Sequence, residues 1–155
     1  MIKSETFKVR FGKPENGWIE IHIKNSGNTF FLQISYTPFH LVEELINAII
    51  KVLDGESVKA NGSYNPERYE FIFDVKDEMV HLYVLEFHDY KINENFRKIL
   101  FDITGERLKI CKSFWRGFKD LQGKISSEEY KELFHREFPT RDLEFLSYKI
   151  SQLEM

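Results

Sequence analysis

The segment from Phe39 to Gly55 constrains this chain most, because an amphipathic helix lies there between two groups of alternating strands. Val42, Leu45, Ile46, Ile49, Ile50 and Leu53 recur at three- and four-residue intervals, so they share one helical face. Thr37 stands where an N-cap is wanted and Pro38 at N1, where a missing donor costs nothing. Tyr36 is placed to pack on Leu41 as a hydrophobic staple, and Gly55 supplies a left-handed stop. Such a stripe of large aliphatics has to be buried, and the flanking strands are the surface available to it.

Before the helix the pattern is a three-strand meander. Phe7, Val9 and Phe11 alternate with charged residues, as do Ile19, Ile21 and Ile23, and then Phe30, Leu32 and Ile34 alternate in a third strand. Pro14-Glu15-Asn16-Gly17 and Asn25-Ser26-Gly27-Asn28 carry turn chemistry between them. After the helix, Val58–Ala60 reads as a short strand, with turns at Asn61-Gly62 and Asn65-Pro66. Tyr69, Phe71, Phe73 and Val75 line one side of the next strand, and a tight turn at Lys76-Asp77 leads into Met79–Phe87. That segment is apolar on both faces, the mark of a central strand covered on both sides. A polar loop, His88–Asn95, precedes a last strand with Ile99, Phe101 and Ile103.

From Gly105 the period becomes helical. Leu108, Cys111, Phe114, Trp115, Phe118 and Leu121 form one face, and Gly123 should end that helix. Ser126-Ser127-Glu128-Glu129 is a capping box for a shorter helix reaching about His135. Pro139 breaks the chain, and Thr140 is placed to cap a final helix bearing Leu143, Leu146, Ile150 and Leu153. The expected fold is α+β: one antiparallel sheet of six to seven strands, a helix inserted after the third, and a helical C-terminal third. With 155 residues and no linker or repeat, the chain reads as a single domain spanning 1–155.

Fifteen Phe and seven Tyr supply an ample core without disulfides, and the lone cysteine has no partner within the chain. No apolar run is long enough to span a bilayer, and Met1-Ile2-Lys3-Ser4-Glu5 has no apolar leader, so a cytoplasmic setting is expected. Thirteen acids face seven Lys or Arg between Thr37 and Thr104, a mixed field that argues against a nucleic-acid partner.

Chemistry-bearing motifs are absent. His22, His40, His81, His88 and His135 lack the spacing of a helical metal site, although His22 and His81 have the positions to meet across strands. Cys111 falls within an apolar stripe, where a thiol behaves as a small hydrophobe. Glu67, Glu70, Asp74, Asp77 and Glu78 cluster in sequence, but alternation and turns give them the look of a solvated edge. The best surface candidate is Lys109, Lys112, Arg116 and Lys119, which fall within about a quarter-turn beside Trp115. A basic stripe next to an aromatic suits an acidic partner, while the plainer reading is that these stems lie along the apolar face with their heads in water.

Gly17-Trp18-x-Glu20-Ile21, followed by Ser35-Tyr36-x-Pro38 and a helix ending at Gly55, resembles a pattern in small uncharacterised bacterial α+β proteins. The resemblance covers about the first third of the chain, plus the order of the later elements, and rests on turn, cap and packing residues. It implies a bacterial protein and, by analogy with small immunity proteins of this build, a binding role. The expectation is a non-enzymatic protein-binding module, immunity- or inhibitor-like, with no cofactor and no metal, that uses Lys109, Lys112, Trp115, Arg116 and Lys119. The alternative is a small-molecule-binding protein or enzyme with an aromatic-lined pocket between helix and sheet.

Overall fold

A computed structural model describes the backbone of residues 7–64, 66–88 and 96–154, and the side chains of all of these but 96 and 97. The element order is β1 (Lys8–Phe11), β2 (Trp18–Asn25), β3 (Asn28–Ser35), α1 (Leu41–Leu53), β4 (Val58–Tyr64), β5 (Glu67–Lys76), β6 (Met79–Phe87), β7 (Phe96–Glu106), α2 (Arg107–Lys124), α3 (Ser127–Phe134) and α4 (Thr140–Leu153).

The seven strands form two antiparallel sheets rather than one, β1-β2-β3 and β4-β5-β6-β7. The division falls where α1 begins. A β-carbon built on Gly62 of β4 would lie 2.8 Å from Leu41 Cδ2 and 3.4 Å from Ile34 Cδ1 of β3, so Leu41 fills the space between the two strands. Ser63 of β4 bonds instead to the chain just past β3, its Oγ donating to the Thr37 carbonyl at 3.1 Å. Gly62 is therefore a close-packing residue inside a strand, and Asn61-Gly62 is not a turn. Thr6, Asn65 and residues 89–95, part of the expected first strand, turn and polar loop, lie outside the described residues.

The meander follows the expected alternation. Val9, Phe11, Ile19, Ile21, Ile23, Leu32 and Ile34 are buried on one face, and Asn16, Gly17, Ser26 and Gly27 take the positive φ their turns require. Strand β6 is central, between β5 and β7, but it is fully covered on one face only: Val80, Leu82 and Val84 are buried, while His81, Tyr83 and Leu85 on the other face are half-buried. Register shifts between Val84 and Leu85 and between Glu86 and Phe87 break the alternation of β7, leaving Ile99 exposed while Ile103 is buried.

Helix α1 starts at Leu41, four residues after Thr37, with His40 at the N-cap and no side-chain cap bond. Thr37 instead ties the end of β3 to Ser63, and Tyr36 turns its ring edge-on to His135, 4.9 Å between centroids. The stop at Gly55 stands, with φ +88° and its N–H donating to the Val52 carbonyl. Leu45, Ile46, Ile49 and Val52 are fully buried, each stabilising the fold by about 1.5–3 kcal/mol relative to exposure. Helix α2 runs through Gly123 to Lys124. Ser126 Oγ caps α3 by accepting the Glu129 N–H, but the Glu129 carboxylate pairs with Lys13 at 3.4 Å. Thr140 is the first residue of α4 rather than its cap, and its hydroxyl donates to the Phe138 carbonyl.

Helix α2 runs beside the free edge of β1. Gly12 donates to the Glu20 carbonyl, so residues 8 and 10 turn their backbone polar groups towards β2, and residues 7, 9 and 11 turn theirs outwards. Ser113 Oγ donates to the Phe7 carbonyl at 3.0 Å, Lys124 Nζ donates to the Phe11 carbonyl, and between them Gly117 lies against Val9. One contiguous core draws buried side chains from both sheets and all four helices, with Phe114 in ring contact with Phe7, Phe73 and Phe118.

Candidate functional site

Because α2 lies along β1, side chains more than a hundred residues apart converge. A cleft of about 510 Å³ along this seam is lined by Lys8 and Arg10 from β1 and by Lys109, Lys112 and Arg116 from α2, with Asp120 as the acid among them. Lys8 and Arg10 also line a second depression on the outer face of the first sheet, together with His22, Lys24 and Lys124. The two depressions form one continuous surface with seven cations and one carboxylate in its lining, so its local potential is positive although the whole chain carries −3.

Most of these cations are uncommitted. Among the described residues Lys8, Arg10, Lys24, Lys109 and Arg116 make no ion pair, whereas Lys112 pairs with Glu154 and Lys124 with Asp120 at 3.1 Å. Their positions are held by the backbone. Lys8 and Arg10 stand on the outer side of a strand whose Val9 and Phe11 are buried, and Lys109 and Arg116 flank Ser113, which is bonded to Phe7, just before that strand.

Of the residues singled out in the sequence, Lys109, Lys112 and Arg116 are brought together with β1. Lys119 is not in this lining and donates to Gln122 at 3.0 Å. Trp115 faces α4, its indole N–H donating to Ser147 Oγ at 2.8 Å, so it braces two helices away from the cleft. Lys8 and Arg10 were missed as site residues because, in sequence, they are simply the polar half of an alternating strand. The signal for them is the small pair Ser113 and Gly117, one turn apart on α2, which lets a strand come close to that helix face.

The other expected groups separate. His22 lies in β2 and His81 in β6, strands of different sheets, so they form no cross-strand pair. His81 Nε2 sits 2.5 Å from Asp102 Oδ1 with Tyr83 beside it, but both partners are half-exposed on an open sheet face. Glu70 departs from the solvated edge expected for it: it is buried against Arg68, whose guanidinium lies 4.0 Å over the Phe87 ring. Asp74 and Glu78 are surface groups, bonded to Ser57 and Arg107. Cys111 is fully buried, and burial pushes its thiol up to about 12 against a smaller opposing pull from Arg107. Among the described residues no cluster of three potential metal ligands occurs, and no helix is long and apolar enough to cross a membrane. No protein-family model, curated protein or solved structure matches the chain.

Proposed function

We propose that this chain is a non-enzymatic binding protein that receives an anionic macromolecule on the surface shared by β1 and α2. The observation that carries this reading is the convergence of Lys8, Arg10, Lys109 and Arg116, without ion-pair partners among the described residues, on one cleft. Holding like charges together costs free energy in the isolated molecule, and an anionic partner removes that cost. A fixed positive field also raises encounter rates, an effect that fades with salt. An immunity- or inhibitor-like role, the expectation from resemblance, would use the same surface. A pocket between α1 and the sheets has less support, because Leu45, Ile46 and Ile49 are packed to zero exposure there.

Retention on a heparin column tests the reading. Wild-type protein should elute at raised salt, and Lys109→Glu with Arg116→Glu should elute much earlier. Lys76→Glu, an exposed change at the β5–β6 turn, should elute close to wild type. The paired reversal changes twice the charge of Lys76→Glu, so a loss no more than about twice as large would leave only a net-charge effect and remove the proposed site.

A further inference from the structure

We infer that the outer face of the β1-β2-β3 sheet binds single-stranded nucleic acid, an inference that rests on the anion-binding surface proposed above and names its partner. Charge alone suits any polyanion, but this face also carries an aromatic platform. Arg10, His22 and Phe31 stand opposite one another on three adjacent strands. In that row the His22 and Phe31 rings stack with 5.8 Å between centroids and 21° between planes. Phe31 is 57% exposed, so its ring adds nothing to the core and remains open to a further flat partner.

Lys8 and Lys24 form the next row on the same face, about 6.7 Å along the strands. Single-stranded nucleic acid alternates flat bases with negative phosphates, so bases can stack on the aromatic row while phosphates meet the cations. An acidic protein segment would satisfy the cations but would give Phe31 no comparable partner. A duplex keeps its bases stacked on each other and unavailable to the ring. Among the described residues of these three strands the carboxylate on this face is Glu20, one row to the other side and 3.3 Å from His22. The acids that weigh against nucleic acid along the sequence, such as Glu43, Glu44, Asp74 and Asp102, belong to α1 and the second sheet.

The test is fluorescence anisotropy of the full chain with a fluorescein-labelled oligodeoxythymidylate of about twelve nucleotides, with polyglutamate and a duplex of equal length as competitors. If about four phosphates are neutralised, affinity should fall about 50-fold between roughly 50 and 200 mM salt. Phe31→Ala should weaken binding at least about fivefold without changing the salt dependence, and Phe31→Trp should restore it. Paired reversal of Lys8 and Arg10 to Glu should flatten the salt dependence itself. Thermal melting of Phe31→Ala should match wild type, since the ring is exposed. Unchanged affinity in Phe31→Ala, or displacement by polyglutamate or duplex as effective as by unlabelled oligonucleotide, would overturn the nucleic-acid inference and leave the anionic surface standing. Failure of the oligonucleotide to bind, together with early elution of the wild type from heparin, would remove the surface as well.

Discussion

Gly117 lies against the main chain of Val9 so closely that a β-carbon built on it would stand 2.7 Å from the Val9 carbonyl oxygen. The obstacle is backbone within a paired strand, so it cannot rotate away. Gly117→Ala should therefore destabilise the fold, with an overpacking cost of about 1–3 kcal/mol exceeding the roughly 1 kcal/mol gained in helix propensity. At Gly62 the nearest atom is the end of the Leu41 side chain, at 2.8 Å, which has some freedom to move. Gly62→Ala should cost less than Gly117→Ala in denaturant melts, and the reverse order would contradict this account of the α2–β1 approach.

Two residues with the chemistry of helix caps should respond differently to alanine. Ser126 makes its bond to the Glu129 N–H, so Ser126→Ala should cost about 1 kcal/mol. Thr37 is exposed and caps nothing, so Thr37→Ala should stay within about 0.5 kcal/mol of wild type. A loss at Thr37 equal to that at Ser126 would return the start of α1 to the position its sequence suggests.

Leu45 and Ile49 are at zero exposure, so truncating either to alanine should cost about 2–5 kcal/mol through transfer and cavity terms together. Near-zero losses in urea titrations would mean that the buried face of α1 has been misassigned.

The five α2 residues expected to bind a partner should divide by the kind of damage they cause. Trp115→Phe removes the hydrogen bond to Ser147 between α2 and α4 and should cost about 1 kcal/mol of stability with partner affinity unchanged. Arg116→Glu should do the opposite, altering binding with stability within about 0.5 kcal/mol. Paired melting and binding measurements that show both variants failing in the same way would erase the distinction between brace and surface.

Stability should depend on pH above neutrality. Folding holds the Cys111 thiol neutral up to about 12 through burial, while the unfolded chain ionises near the ordinary 9.0. As pH rises through that window the unfolded state loses its proton first, so the contribution is full below about 9 and declines towards 12. Tyr69, raised to about 12 mainly by burial and then by Glu86, Glu67 and Tyr64, adds to the decline above its ordinary 10.0. Cys111→Ala should flatten the slope of stability between about pH 9 and 11, and a slope identical to wild type would contradict the assignment. In the native state the thiol should resist alkylation until the chain unfolds.

What the sequence conveys here is mostly short-range. Alternation in Ile19, Ile21 and Ile23, the turn residues Asn16-Gly17, and the stripe Leu45-Ile46-Ile49 each act within a few residues, and each appears in the fold as its pattern implies. The errors arise where a distant contact decides. Asn61-Gly62 has turn chemistry, yet Gly62 is in a strand because Leu41 needs the space of its missing side chain. Thr37-Pro38 has the form of a helix start, yet the Thr37 carbonyl is engaged by Ser63. The cleft shares that origin: Lys8 and Arg10 come beside Lys109 and Arg116 only because α2 returns to the first strand.

The placement of α2 also governs how copies of this molecule meet one another. A strand with outward carbonyls is a template for addition of a like strand, and Ser113, Gly117 and Lys124 occupy that template from within the same chain. Detaching α2 would therefore release an adhesive border as well as open the core. Variants that loosen this helix should show turbidity that rises with protein concentration even below their melting temperature.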